Sequence, residues 1–159
     1  MLWRFPEEDP IRMHPLILAY IGDAVFELFT RNRLAVREAK VNKIHREAIE
    51  LVSAKAMAAY YQKLEPYLSV EEADILHRGR NAKTRTIKSA GVTQYHMSTG
   101  FEALVGYLFL SNKAERLERL LNILLEGEDD AGGSAVRQQS SPGGFAKGQT
   151  DQSGMDIQR

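Results

Sequence analysis

The chain has 159 residues, 43% of them hydrophobic, no cysteine and a formal net charge of zero. That suffices for one domain with a sizeable core; the lack of cysteine excludes disulfides and a thiolate metal site, and the charge balance argues against a surface that is basic all over. No apolar run approaches the roughly 18 residues of a membrane span, and Met1 to Pro15 mixes acids, arginines and prolines instead of forming an apolar signal core, so a cytoplasmic protein is expected.

Pro15 suits the first turn of a helix, where its missing N–H is not needed, and apolar residues at 16, 18, 21, 25, 28 and 29 continue that helix to about Leu34. A second helical pattern runs from about Val41 to Leu64 and stops before Pro66. Ser69 to Glu72 reads as a capping box opening a short helix that ends near Gly79. Residues 79–97 lack strong periodicity and read as a long basic loop, which inside a compact domain is usually functional or disordered. Helical rhythm returns from about Thr99 to Leu110. Asn112 to Glu115 reads as a cap, Leu117, Leu120, Leu121, Leu124 and Leu125 form the stripe of a last helix, and Gly127 closes it. The domain is expected to be an all-α helical bundle over residues 1–126. Residues 127–159, rich in Gly, Ser and Gln, are expected to form a disordered tail, because so little apolar surface cannot offset the entropy of ordering.

Two segments place carboxylates in otherwise apolar helices. Between Leu16 and Phe29 only Asp23 and Glu27 are charged, and between Phe101 and Leu110 only Glu102 is. Such an acid pays desolvation unless a partner meets it, and a divalent cation is one such partner. Gly22 precedes Asp23, and Gly106 lies one turn beyond Glu102. Glycine inside a helix costs about 1 kcal/mol relative to alanine, so close approach of another backbone is the expected compensation. Two helices meeting at these glycines would bring Asp23 and Glu102 together. Spacing leaves alternatives open. Asp23 also reads as a surface acid, Glu102 as the fourth member of a Thr99 capping box, and Glu27 as the partner of Arg31 one turn on. His14, His45, His77 and His96 show no ligand spacing, and there is no Gly-rich phosphate loop or nucleophile elbow.

Charge is unevenly spread. From Ile75 to Phe101 there is no acid, whereas Arg78, Arg80, Lys83, Arg85 and Lys88 fall there; from Thr30 to Arg46 only Glu38 opposes a row of cations. Local basic stretches in a neutral protein point to a polyanion contact on one surface or to solvated charged faces.

The paired segments, Ile21-Gly22-Asp23-Ala24-Val25 and Glu102-Ala103-Leu104-Val105-Gly106, resemble the ribonuclease III family in order and separation, over roughly residues 14–126. Leu18 to Glu27, Arg78 to Lys83 and Ser98 to Leu104 look most like its Mini-III branch, which consists of the catalytic domain without a double-stranded-RNA-binding domain. The resemblance implies a homodimeric, Mg²⁺-dependent endoribonuclease that cleaves double-stranded RNA in maturation of large-subunit (23S) ribosomal RNA, with a ribosomal protein as an assisting partner. It implies that Asp23 and Glu102 are the catalytic, metal-binding residues. The longer enzymes of the family carry further acids where this chain has Leu16, Ala19 and Thr99. Without a separate RNA-binding domain, Arg78, Arg80, Asn81, Lys83, Arg85 and Lys88 become the candidate RNA contacts, with Asn81 and Gln94 facing 2′-hydroxyls. The apolar face of the first helix, including Tyr20 and Phe26, is a candidate for part of the dimer contact, with ordinary core packing as the alternative. The rival reading is a non-catalytic RNA-binding or ribosome-associated protein of the same fold; a more distant one is an all-α interaction module.

Overall fold

The computed structural model describes residues 3–37, 40–82 and 91–126. These residues form six α-helices and two short 3₁₀ turns, with no strand among them: α1 (Pro15–Arg37), α2 (Val41–Leu51), α3 (Ala54–Leu64), α4 (Val70–Asn81), α5 (Val92–Leu110) and α6 (Ala114–Glu126). None is long and apolar enough to cross a membrane.

Helix α5 is the axis of the bundle, and α1, α3 and α4 pack around it. Ser98 to Leu108 is buried all round except at Glu102, which is why this stretch shows little amphipathic rhythm. Phe26 of α1 meets Phe101 of α5 edge to face, ring centroids 4.9 Å apart, and both rings touch Tyr60 of α3. Burying a side chain of this size stabilises the fold by about 1.5–3 kcal/mol. Phe26 is therefore core, and its expected place in a dimer contact is corrected; Tyr20, on the opposite side of α1, is 79% exposed.

Local chemistry sets the helix boundaries. Pro15 opens α1, and His14 Nδ1 accepts from the Leu16 N–H at 3.2 Å. The single helix expected from Val41 to Leu64 is two. Ser53 Oγ accepts from the Ala56 N–H at 3.2 Å and donates to the Glu50 carbonyl at 2.9 Å, ending α2 and capping α3. The apolar stripe continues across that break, so periodicity alone did not reveal it. The capping box at Ser69 forms in both directions, Glu72 N–H to Ser69 Oγ at 3.2 Å and Ser69 N–H to Glu72 Oε2 at 2.9 Å. Helix α4 then passes through Gly79 to Asn81. Gly79 is a packing glycine: a Cβ there would lie 2.6 Å from Ala103 Cβ and 2.9 Å from Gly100 Cα.

The expected loop over 79–97 is corrected at both ends, because α4 reaches Asn81 and α5 starts at Val92; residues 83–90 lie outside the described residues. Thr99 is consequently in a helix interior. Its Oγ1 donates back to the Tyr95 carbonyl at 3.0 Å, as Ser98 Oγ does at 2.8 Å. The capping-box reading of Glu102 fails with it. Asn112 also changes role. At φ 56° it sits in the left-handed region, with Asn112 N–H to Phe109 O at 3.0 Å and Lys113 N–H to Leu108 O at 2.9 Å. That is a Schellman closure of α5 rather than a cap on α6. Gly127 and the tail expected over residues 127–159 lie outside the described residues.

Candidate active site

The site lies at the seam of α1 and α5. A Cβ on Gly22 would sit 1.8 Å from the Glu102 carbonyl oxygen and 2.7 Å from Gly106 N; one on Gly106 would sit 1.9 Å from the Leu18 carbonyl oxygen. Only hydrogen fits at either position, so the two backbones touch there, as the paired glycines suggested. Asp23, next to Gly22, is exposed at the edge of the seam, and Glu102 is largely buried within it.

Burial first, and the charge of Asp23 second, push the Glu102 carboxyl up to about 8. Asp23 is raised as well, by burial and then by Glu27. Their mutual repulsion falls chiefly on Glu102, the more enclosed of the two, because the acid with less solvent gives up its charge first. Among the described residues neither carboxylate has a hydrogen-bond or ion-pair partner. Glu27 behaves as expected, pairing with Arg31 at 2.9 Å on the same helix.

Ala19 and Thr99 face the same seam, one turn before Asp23 and Glu102 respectively. Ala19 brings no polar atom, and the Thr99 hydroxyl proton is committed to Tyr95. No cluster of three or more His, Cys, Asp or Glu side chains occurs among the described residues. A pair of oxygen donors without a cationic partner, and without His or Cys, fits a hard divalent cation that keeps much of its water, rather than zinc.

The basic residues separate. Arg78 spends its fork on the chain before α1: Nη1 donates to the Ile11 carbonyl at 2.6 Å and Nη2 to the Met13 carbonyl at 3.2 Å, with Asp74 at 3.8 Å. It holds the 3₁₀ turn Pro10–Arg12 against α4. Arg80 and Asn81 are exposed and share a cleft of about 320 Å³ with Thr93 and His96. Gln94 is exposed in the first turn of α5, and Lys83, Arg85 and Lys88 lie outside the described residues. Thr93 was not singled out in the sequence, and His96 was weighed only as a metal ligand, because the segment holding them read as loop. The acid-free run around them was the available signal.

A second acid, Glu72, is 5% exposed but fully met: Arg116 donates to its Oε1 from Nε at 2.8 Å and to its Oε2 from Nη2 at 2.7 Å. Bonding to Arg116 holds this carboxyl below its ordinary value. The contrast with Glu102 separates an acid that fastens α4 to α6 from one left without a partner.

The family model described as Ribonuclease III domain matches residues 16–113 of this chain. Similar proteins include the Mini-ribonuclease 3 of Symbiobacterium thermophilum, 50% identical over 115 residues that cover 71% of this chain and 88% of that protein. The Mini-ribonuclease 3 of Clostridium tetani is 41% identical, covering 76% of this chain and 82% of its own length. That of Enterococcus faecalis is 45% identical, covering 72% and 89%. A crystal structure of a protein from Fusobacterium nucleatum superposes with a TM-score of 0.69 at 28% identity, over 76% of this chain and all of that one. With the glycine-tight seam and both of its acids inside the matched range, the chain belongs to the ribonuclease III family, in its Mini-ribonuclease 3 branch, and is an endoribonuclease.

Proposed function

We propose that this enzyme hydrolyses phosphodiester bonds of double-stranded RNA at the α1–α5 seam, using Asp23 and Glu102 to hold Mg²⁺, and that its substrate is the precursor of large-subunit ribosomal RNA in the cytoplasm. The observation that carries the reading is the Glu102 carboxyl, pushed to about 8 beside Asp23 with no cationic side chain among the described residues to meet either acid. A site built to leave two acids facing each other costs stability in the bare protein and gains it back when a divalent cation arrives. When bound between these two acids, a divalent cation would supply a water of lowered pKa and positive charge at the reacting phosphate.

The chain's own residues divide the remaining work. Glu102, fixed by burial and by the Gly22 contact, gives up its proton and presents an oxygen from α5. Asp23, at the open edge, presents its oxygens from α1 toward solvent and substrate. Of the basic residues, Arg80 and Asn81 are placed to meet the RNA backbone, and Lys83, Arg85 and Lys88 follow them in sequence. Arg78 contributes by holding the N-terminal turn, with only part of its guanidinium left for phosphate.

Homodimerisation belongs to the same reading. Ile17, Tyr20 and Leu28 are 51%, 79% and 58% exposed on one side of α1, a helical stripe of apolar groups suited to the same stripe on a second copy. Two sites related by a two-fold axis would each cut one strand. Maturation of 23S ribosomal RNA and help from a ribosomal protein rest on the family resemblance alone.

Incubating the protein with duplex RNA and Mg²⁺, beside Asp23→Asn, Glu102→Gln and an EDTA control, tests the reading. Cleavage to products with 5′-phosphates, lost in both variants and in EDTA, is expected. Cleavage that survives either substitution refutes the assignment, and binding without cleavage returns the protein to the non-catalytic rival.

A further inference from the structure

The cleft between the end of α4 and the start of α5 is walled, among the described residues, by Arg80, Asn81, Thr93 and His96. All four side chains can carry hydrogen-bond donors and none is a carboxylate. Arg80 makes no ion pair with any described carboxylate. Its guanidinium instead lies beside the buried Tyr61 hydroxyl, close enough to pull that phenol's pKa down against the upward push of burial. Tyr61 is a rigid backstop: its ring carbons would lie 2.9 and 3.1 Å from a Cβ on Gly100. On the other wall, Gly91 gives α5 no side-chain cap, so the first-turn N–H groups, uncapped by any described side chain, add positive potential beside Thr93. An exposed arginine with no carboxylate partner among the described residues, facing hydroxyl, imidazole and amide donors, is a seat for an anion.

We propose that this cleft seats one backbone phosphate of the RNA, with Arg80 donating from α4, Thr93 and His96 contacting the phosphate from α5, and Asn81 reaching the adjoining 2′-hydroxyl. The inference rests on duplex RNA being the substrate and adds a contact that fixes its register. His96 and Glu102 share α5, about 9 Å apart along its axis at 1.5 Å per residue. A phosphate held at the first therefore sets which phosphate of the same duplex reaches the second. Contacts of this kind position the nucleic acid without reading its sequence.

The test uses the full chain carrying Asp23→Asn, so that RNA is bound and not cut. Anisotropy of a labelled duplex RNA is followed across a KCl series for this parent and for Arg80→Ala, Thr93→Ala, His96→Ala and Asn81→Ala added to it. Arg80→Ala is expected to weaken binding on the order of tenfold and to flatten the salt slope by about one. Arg80→Ala and His96→Ala together should cost less than the product of their separate effects, since they share one phosphate. The Asn81→Ala loss should appear with RNA and vanish on the matching DNA duplex. Thermal unfolding of each variant checks the fold, and His96→Gln serves if His96→Ala is destabilised.

Affinity and salt slope unchanged in Arg80→Ala and His96→Ala, with a parent that binds duplex RNA, overturn the seat and leave the RNA reading standing. A parent that binds no duplex RNA overturns both. Inorganic phosphate that shifts the His96 ring resonances, while RNA binding ignores Arg80, marks a site for free anions and overturns the proposal as stated.

Discussion

Replacing Glu102 by glutamine should make the metal-free protein more stable, and by an amount that depends on pH. The carboxyl has an ordinary value of 4.5 and is pushed to about 8 in the folded chain. Because the folded value lies above the unfolded one, the group stabilises the fold fully below about pH 4.5, and that contribution is lost as pH rises through about 8. At pH 7 the unfolded carboxyl is ionised and the folded one is largely protonated. The difference favours unfolding by about 3 kcal/mol, at roughly 1.4 kcal/mol for each pH unit above 4.5. Partial exposure screens some of it, so the figure is a ceiling. Glu102→Gln cannot ionise in either state and should recover up to about 3 kcal/mol at pH 7, on the order of 10 °C in Tm for a domain of this size. Urea denaturation in EDTA at pH 4, 7 and 8.5 reads this directly. The gap between variant and wild type should be near zero at pH 4 and widen upward. A variant that is less stable at pH 7, or a gap independent of pH, would refute the claim that Glu102 is a buried acid without a partner.

Gly22→Ala drives a methyl into the Glu102 carbonyl 1.8 Å away; a loss of about 3 kcal/mol or more in urea denaturation is expected, because two helix axes must separate. Arg116→Ala leaves Glu72, 5% exposed, without its guanidinium, and should cost about 3–5 kcal/mol. Since Arg116 holds the Glu72 carboxyl below its ordinary value, that difference should be full above the ordinary carboxylate range and shrink as pH falls through the lowered folded value. Tyr20→Glu, at a 79% exposed position, should shift the protein from dimer to monomer in sedimentation velocity with Tm measured as a control; a monomeric wild type would remove the dimer from the account. Truncation after Glu126 should leave Tm within a few degrees of the full chain, as the composition of residues 127–159 implies; a larger drop would contradict that reading.

The seam was legible because its signals are local. Gly22 beside Asp23 and Gly106 one turn after Glu102 are anomalies in apolar helices, and both glycines proved to be contact points between the helices. The capping box at Ser69 was equally plain, since two side chains complete it within four residues. What stayed hidden depends on contacts distant in sequence. The first two turns of α5 carry Thr93, Gln94, Tyr95 and His96, whose polarity masks a helix that α3 and α4 help to hold in place. That error made Thr99 look like a cap and concealed the cleft that Arg80 shares with His96. Phe26 looked like an interface residue because an apolar helix does not say which side the core takes. The use of Arg78 on the Ile11 and Met13 carbonyls, across more than sixty residues, has no sequence signal.

If Asp23 and Glu102 share one divalent cation, calorimetric titration of Mg²⁺ at pH 7 in buffers of different ionisation enthalpy will reveal it through the protons released. With Glu102 near 8, cation binding must displace its proton, so wild type should release close to one proton per cation bound. Asp23→Asn should bind far more weakly, and Glu102→Gln should release no proton. Binding by wild type without proton release, or undiminished binding in Asp23→Asn, would contradict the claim.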